Sequence, residues 1–193
     1  FGWLGVTQVV FQRPPCGSHD DFLIQADKSP NAKGAAALGI PEGAAPLLER
    51  VEKKSLRVLF VFTQDLAPII GEERVREAAR QLELLVFVGS NENATAALAH
   101  VVLPSHVYAE KDGTFTNFQG RVQRLHAVLG PWGESRSELD ILAELASKLG
   151  LPTTLPDAKT MFDELAKHEA PFQGLSYEVI GDQGALLRPV ISE

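Results

Sequence analysis

The sequence is poor in the residues that build disulfides and metal centres. Cys16 is the one cysteine among 193 residues, so the chain by itself can form neither an internal disulfide nor an iron–sulfur cluster. Its spacing to His19 would suit two metal ligands, but two ligands do not make a site, and we predict no metal there. A single unpaired cysteine is typical of a reducing compartment.

The sequence also lacks a surplus of positive charge and any long apolar run. Lysine and arginine number 18 against 25 aspartates and glutamates, a net charge of -7. This balance argues against a nucleic-acid partner, because binding phosphates requires cations. There is no run of about 18 apolar residues, so we predict no membrane span. The sequence begins at Phe1 without the layout of a signal peptide, and we expect a fragment of a larger protein.

Motifs for phosphate binding and catalysis are missing as well. The chain has no Gly-rich phosphate loop of the Walker or dinucleotide type, and no G-x-S-x-G nucleophile elbow. Its five histidines are scattered; His100 and His106 flank a predicted strand, and we interpret them as satisfied surface or core residues. Because the sequence shows no motif that combines a nucleophile with a general base, we expect that this chain alone is not catalytic.

Three nearly continuous apolar runs form the clearest structural pattern that is present. The runs at 56–62, 84–88 and 101–103 are typical of strands buried on both faces, as in a parallel sheet. An amphipathic helix at 72–82 and a short helix at about 93–99 lie between them. The order β-α-β-α-β predicts an α/β fold with right-handed crossovers.

Weaker patterns flank this core. We predict an edge strand at 6–11, a loop at 63–70, an exposed strand at 121–129, an extended segment at 175–184, and helices at 31–38, 46–54, 138–149 and 157–168. Asn31 or Ser29 is the expected cap of the first of these helices, and Gly39 ends it. Four prolines interrupt the C-terminal part of the chain: Pro152, Pro156, Pro171 and Pro189.

The most specific stretch runs from residue 109 to residue 123. Asp112-Gly113 is a turn signal, and residues 114–116 favour a strand. Glu110 and Asn117 bracket this segment. Their side chains either satisfy the loop's own backbone, which is the more usual fate of buried polar groups, or face a ligand.

These residues carry a family resemblance. Ala99-His100-Val101-Val102-Leu103-Pro104 and the stretch 109–123 resemble the A-D-V-V-L-P … A-E-K-x-G-T-x-x-N-x-E-G-R-x-Q signature of the molybdopterin oxidoreductase family. Within that family the chain is most similar to the large iron–sulfur subunit of NADH-quinone oxidoreductase, respiratory complex I. Residues 20–34 resemble the D-D-x-L-x-x-A-D-K-x-P-N-x-x-G segment of that subunit, and the likeness covers about residues 19–150.

The resemblance implies a domain layout. Residues 20–150 would form an α/β domain with a parallel, Rossmann-like sheet in the three-layer arrangement of the molybdopterin oxidoreductases. Residues 1–19 would be the N-terminal edge segment of a truncated larger domain. Residues 151–193 would form a C-terminal helix and an extended, irregular tail.

The resemblance also implies a set of candidate site residues. Ligands of parallel α/β sheets sit beyond the carboxyl ends of the strands. In molybdenum enzymes of the family, the corresponding loops bind the guanine dinucleotide arms of the pterin cofactor. If molybdopterin guanine dinucleotide is bound here, the expected contacts are Thr63, Ser90, Asn91, Thr95, Glu110, Gly113, Thr114 and Asn117.

Several positions depart from the family pattern. Gly89 stands where the family often has an acid that reads the guanine edge, His100 replaces an aspartate, and Asn93-Ala94-Thr95 replaces a common T-E-T. Four acidic residues would repel a pyrophosphate that lay close to them: Asp65, Glu72, Glu73 and Glu92. We favour the alternative that they cap helices or interact with helix dipoles. We interpret these departures as the mark of a scaffold that lacks the cofactor.

Three functional hypotheses follow. We favour a fragment of the large iron–sulfur subunit of NADH-quinone oxidoreductase, taking part in electron transfer from NADH to quinone, with its iron–sulfur clusters in an N-terminal part beyond this sequence. The alternative is the cofactor-pocket domain of a molybdenum or tungsten bis-pterin oxidoreductase such as formate dehydrogenase. The third is a free-standing domain that binds a small ligand or a protein. The first two imply partner subunits of a respiratory or dehydrogenase complex and a cytoplasmic location, peripheral to the inner membrane.

Overall fold

The chain folds into two units, each with its own sheet. The computed structural model describes residues 6, 8–14, 16–151 and 157–188. One unit, here called the parallel unit, comprises Gly43–Val107 and Gly130–Glu138. The other, the antiparallel unit, gathers Phe1–Glu42, Tyr108–Leu129 and Leu139–Glu193.

The described secondary structure consists of helices α1 to α8, strands β1 to β6 and short 3-10 turns. The helices are Ala32–Ala37 (α1), Ala45–Glu52 (α2), Ala67–Ile70 (α3), Glu72–Gln81 (α4), Ala94–Leu98 (α5), Glu138–Lys148 (α6), Ala158–His168 (α7) and Tyr177–Ile180 (α8). The strands are Val58–Phe62 (β1), Leu84–Gly89 (β2), Val101–Pro104 (β3), Gly113–Thr116 (β4), Arg121–Leu125 (β5) and Ala185–Leu186 (β6).

The parallel unit contains the predicted sheet. Its strands lie in the order β1-β2-β3 and are parallel, with Phe62 opposite Val88 and Gly89 opposite Pro104. Residues 85–89 of the central strand are all buried. Helices α2, α4 and α5 contribute apolar side chains to the same core, because their buried residues recur at helical spacing. The predicted α/β fold is therefore confirmed.

The antiparallel unit has a second sheet, in which β4 and β5 coincide with the strands predicted at 114–116 and 121–129, although β5 ends at Leu125. The sequence patterns did not indicate β6 or the pairing of these strands. Strands β4 and β5 form a hairpin, and β6 pairs with the other side of β5 through Ala185 and Val122. Val122 is fully buried and packs with Phe162, Phe172 and Ile180. Helices α1, α6 and α7 lie where they were predicted, and Gly39, with a φ of +68°, follows α1.

Several predictions at the periphery are wrong. The edge strand expected at 6–11 is absent from its described residues, where Phe11 makes only one isolated bridge, to Glu42; prolines nearby supply no N–H to extend that ladder. The loop at 63–70 contains α3, which has a proline in its first turn. The segment at 175–184 contains α8, since the Ser176 side chain caps it. Pro152, Pro156 and Pro189 lie outside the described residues.

Candidate functional site

Three residues mark the carboxyl edge of the parallel sheet. Thr63, Gly89 and Ser105 stand at the ends of β1, β2 and β3, and backbone hydrogen bonds continue the sheet to this level: Thr63 N–H donates to Val88 O at 2.7 Å and Ser105 N–H to Gly89 O at 3.0 Å. Thr63 has a φ of +59°, which is unusual for a β-branched residue and frequent at ligand sites. Its side chain is exposed.

The loop after β2 supplies two further exposed polar side chains. Ser90 and Asn91 follow Gly89 directly and are both exposed. With Thr63 they form a set of hydroxyl and amide groups that follow two adjacent parallel strands. Such groups can donate hydrogen bonds to phosphate or base oxygens.

Thr95 has a different position. It is fully buried; its hydroxyl donates to Asp65 Oδ1 at 2.7 Å and accepts the Leu66 N–H at 2.8 Å. Both functions of the hydroxyl are therefore used within the chain. This residue fastens the loop after β1 to the start of α5.

The carboxylate of Asp65 is the centre of the same network. It also accepts the backbone N–H groups of Ala67 and Thr95, each at 3.2 Å. Burial raises the pKa of Asp65, but the hydrogen bonds from the Thr95 hydroxyl and the two N–H groups outweigh burial and hold the pKa below its ordinary value. Asp65 therefore carries its negative charge as a structural group.

Other acids and His100 also have structural partners. Glu72 and Glu73 lie in the first turn of α4 and pair with Arg76 at 2.5 and 3.4 Å, which confirms them as helix-dipole partners. His100 accepts the Leu85 N–H through Nδ1 at 2.8 Å. This contact ties β3 to β2 and confirms the interpretation of His100 as a satisfied residue.

The packing of Phe87 requires a glycine at position 89, the end of β2. A Cβ on Gly89 would lie 2.5 Å from the Phe87 ring, and Phe87 is almost completely buried. The two residues share one face of the strand, so the ring occupies the space of a side chain at 89. An acid that reads a guanine edge therefore has no room at this position unless Phe87 moves.

Two serines at this edge were missed by the sequence analysis. Ser105 is 2% exposed, and neither its hydroxyl nor that of Ser135 has a hydrogen-bond partner among the described residues, although both oxygens are buried. The two are neighbours, because Ser105 forms a bridge with Arg136. The rule that placed Thr63 and Ser90 at strand ends applies equally to Ser105, the residue directly after β3.

The remaining predicted residues belong to the antiparallel unit. Gly113 and Thr114 open β4, and Glu110 is buried in the short 3-10 helix before it. The side-chain oxygen of Asn117, Oδ1, accepts the N–H groups of Gln119 and Arg121, both at 3.0 Å. Asn117 thus satisfies the hairpin's own backbone, which confirms the structural alternative for its oxygen.

A side chain outside the predicted set holds β4 in place. Asn31 Oδ1 accepts the Thr116 N–H at 3.1 Å, and Asn31 N–H donates to Thr116 O at 3.2 Å. Asn31 occupies the N-cap position of α1, as predicted, with a φ of +68°, but its side chain makes no capping hydrogen bond. A Cβ on Gly34 would meet the Asn31 Oδ1 at 2.6 Å and the Thr116 Oγ1 at 2.9 Å, so close packing requires glycine there.

The profile of molybdopterin oxidoreductases matches residues 17–148. The chain belongs to the molybdopterin oxidoreductase family. It is 38% identical over 121 residues, 62% of its length, to the NADPH-Fe(3+) oxidoreductase subunit alpha of Geobacter sulfurreducens. It is 32% identical over 143 residues, 72% of its length, to the F420-dependent formate dehydrogenase subunit alpha of Methanocaldococcus jannaschii. It is 31% identical over 145 residues, 75% of its length, to the probable oxidoreductase YjgC of Bacillus subtilis.

This molybdopterin oxidoreductase chain corresponds to a small part of these relatives. The matches span 14%, 21% and 15% of the three relatives' lengths, in the order given. Two of the three are named as alpha subunits, so relatives of this chain occur in multi-subunit enzymes. The three names do not include complex I, and that narrower likeness stays a prediction.

The carboxyl edge of the parallel sheet carries polar groups of the kind that can bind a nucleotide. Ser105 offers a buried hydroxyl without a partner, and exposed hydroxyl and amide groups precede it at Thr63, Ser90 and Asn91. Donors of this kind suit phosphate and base oxygens. The residues of the parallel unit therefore fit one end of a pterin dinucleotide, with Gly89 contributing no side chain.

The described part of the chain contains neither a metal-binding cluster nor a membrane-spanning helix. No group of three or more His, Cys, Asp or Glu side chains there could hold a metal ion. None of its helices is sufficiently long and apolar to cross a membrane.

Proposed function

We propose that this chain is part of the cofactor pocket of a molybdenum or tungsten bis-pterin oxidoreductase, such as a formate dehydrogenase alpha subunit. The observation that carries the proposal is the unpartnered buried hydroxyl of Ser105, beside exposed donors at the carboxyl edge of a parallel sheet. The names of the formate dehydrogenase relatives support the same reading.

In this proposal the chain binds and orients, and does not itself react. Thr63, Ser90, Asn91 and Ser105 would donate hydrogen bonds to one nucleotide arm of the cofactor. Thr95 would act through Asp65, because their contact fixes the loop that carries Thr63. When bound, the pterin-held metal supplies the redox chemistry of the whole enzyme.

The residues of the antiparallel unit would contribute separately. Glu110, Gly113, Thr114 and Asn117 remain candidate contacts to the pterin dinucleotide. The Asn117 oxygen is used by the hairpin turn, so its amide nitrogen is the group left to donate to a ligand.

A second candidate is the large iron–sulfur subunit of NADH-quinone oxidoreductase, in which this part would be a scaffold without cofactor. The packing of Phe87 against Gly89 favours it, because the acid that reads guanine in the molybdenum enzymes has no place here. In both candidates the partners are other subunits of a dehydrogenase or respiratory complex, on the cytoplasmic side.

The two candidates differ in metal and pterin content. The full polypeptide that contains this chain would be purified gently and analysed for molybdenum and tungsten by mass spectrometry, and for released pterin by fluorescence. Stoichiometric metal and pterin are the expected result. Iron and sulfide without molybdenum, tungsten or pterin would overturn the cofactor pocket and favour the scaffold.

A substitution of Ser105 tests the cofactor pocket more directly, with the same measurement of pterin content. Ser105→Ala removes a hydroxyl that has no partner among the described residues, so the fold should be at least as stable. Its pterin content should nevertheless fall. Ser147→Ala, at an exposed position of α6, is the matched control. Equal pterin content in both variants would remove Ser105 from the pocket.

A further inference from the structure

An arginine and a tyrosine in the antiparallel unit leave two buried polar atoms unpaired. Arg124 lies on β5, and its guanidinium carbon is 4.7 Å from the centroid of the Tyr177 ring. Within the described part of the chain, neither Arg124 Nε nor the Tyr177 hydroxyl has a hydrogen-bond partner, although both atoms are buried. Orphaned buried groups are uncommon in native folds and require an explanation, such as an ion or a ligand.

Arg124 differs from other arginines of this chain in its partners. Carboxylates pair with Arg13, Arg57, Arg74, Arg76 and Arg80. Arg121, on the same strand, donates to the backbone carbonyls of Gln183 and Gly184. Arg124 has only the Tyr177 ring among the described residues, in a chain whose acids outnumber its cations by seven.

The sheet gives these two groups a third polar neighbour. Arg124 and Val122 lie two residues apart and so face the same side of β5, where Val122 packs against α7 and α8. Thr114 of β4 stands directly opposite Arg124, and side chains in such a pair lie about 5 Å apart at Cβ. A guanidinium and two hydroxyls, which can all donate hydrogen bonds, therefore share one region of the sheet face.

The phenol of Tyr177 is kept in its donating form. Burial, followed by the negative charge of Asp112, raises the pKa of Tyr177; the Arg124 guanidinium acts in the opposite direction but does not prevail. Asp157 and Asp163 add to the upward shift. The hydroxyl therefore stays protonated at neutral pH.

None of these three aspartates makes a hydrogen bond or an ion pair with Arg124 among the described residues, and each has a contact elsewhere. Asp112 Oδ1 accepts the Ala127 N–H at 3.2 Å. Asp157 caps α7 by accepting the Thr160 N–H at 2.8 Å. Asp163 pairs with Lys159 at 3.0 Å.

We propose that Arg124 and Tyr177 form a binding site for an oxyanion, a phosphate or carboxylate group, with Thr114 as a third donor. The guanidinium supplies a fixed charge and directed N–H groups, which suit both kinds of oxyanion. Contact with the Tyr177 ring holds that guanidinium in place before the ligand arrives. The site uses no residue of the parallel sheet. It shares only Thr114 with the candidate pterin contacts named above, and it rests on Arg124 and Tyr177, which are not among them.

The test is a titration of the 193-residue chain at constant ionic strength. Inorganic phosphate and acetate are added in separate experiments while the arginine Nε–H signals are followed by NMR. A saturable shift of the Arg124 signal with phosphate, acetate or both is expected, and the more effective probe identifies the ligand class. No saturable shift with either probe would overturn the proposal.

Matched variants separate recognition from general charge. Arg124→Lys keeps the charge but removes the Nε–H and the planar fork, so the affinity should fall by about tenfold or more. Arg80→Lys, at an exposed helix position where the arginine pairs with Glu77, should bind as the natural chain does. Equal affinity in the two variants contradicts a site at Arg124.

Tyr177→Phe distinguishes a ligand contact from a structural one. The ring and its contact with Arg124 remain, while a buried hydroxyl without a described partner is lost. In buffer free of phosphate and acetate, Tm should be unchanged or higher, whereas the rise in Tm on adding the effective probe should shrink. A lower Tm together with an unchanged response to the probe would show that the hydroxyl has a structural partner instead.

Discussion

The two units differ in how far along the chain their contacts reach. The parallel unit is built mainly from the single stretch Gly43–Val107, whereas the antiparallel unit gathers three separate stretches. In the antiparallel unit, Asn31 is bonded to Thr116 and β6 pairs with β5. The first unit is therefore specified by local patterns, and the second by a few long-range contacts between particular side chains and backbone groups.

The units also differ in what their polar groups do. In the parallel unit the buried pair Asp65 and Thr95 is satisfied within the chain, and the orphaned hydroxyl of Ser105 stands at a sheet edge where ligands bind. In the antiparallel unit the orphaned atoms of Arg124 and Tyr177 lie on the face of a sheet. The satisfied network supports the fold, whereas the orphaned groups are the basis of the two binding sites proposed above.

The largest expected effect comes from removing a large side chain from the core of the parallel unit. Phe87→Ala removes a side chain that is 1% exposed, and such a change in a core costs about 3–5 kcal/mol of unfolding free energy. The two apolar clusters share no residue, so we expect hydrogen-exchange protection to fall mainly at β1, β2 and β3. Chemical denaturation followed by amide exchange measures both quantities.

The matching change in the other unit is Phe162→Ala. Phe162 is 6% exposed and packs beside Phe172 and Tyr177. Protection should now be lost mainly at β4 and β5. If each variant lowered protection equally in both sheets, the comparison of two separately specified cores would be wrong.

The predictability of each part follows from this difference. Runs such as 84–88 identify their own strand, because burial on both faces leaves no polar position, and this run sufficed to place Ser90 and Asn91 at a sheet edge. The same rule would have placed Ser105 at that edge. The orphaned atoms of Ser105 and Arg124 could not be found from the sequence, since an orphaned atom is defined by the absence of partners in space. The edge strand at 6–11 failed because apolar content alone does not provide a strand to pair with.

A medium effect is expected where β4 meets α1. Gly34→Ala places a Cβ 2.6 Å from Asn31 Oδ1, and overpacking of this kind costs about 1–3 kcal/mol. Thermal unfolding of the chain measures the loss, and weaker exchange protection at Thr116 would locate it in the antiparallel unit. Gly130→Ala is the control, because its Cβ meets nothing within 4 Å; equal losses in the two variants would argue against the Asn31 contact.

Thr95→Val tests the network of the parallel unit and should have a somewhat smaller effect. The change keeps the shape of the side chain but takes one donor from Asp65 and one acceptor from Leu66 N–H, a loss of about 1–2 kcal/mol. Thr95→Ser keeps both hydrogen bonds and should lose less. If Ser and Val were equally harmful, packing of the methyl group would matter more than the hydroxyl.

The smallest expected effect is that of acid, which should destabilise the two units through different carboxylates. Asp65 has a pKa below its ordinary value in the folded chain, so its contribution is present above the unfolded pKa of about 3.9 and is lost as pH falls through the folded pKa. Asp157 is held low in the same direction by the Thr160 N–H at the start of α7. In Asp65→Asn, the amide exchange protection of β1 and α5 should therefore decrease less as the pH is lowered. In Asp157→Asn, the same should hold for α7. Because the carboxylates stabilise different units, the two variants should act on different amides, and a common response would mean that the low-pH transition is a property of the whole chain.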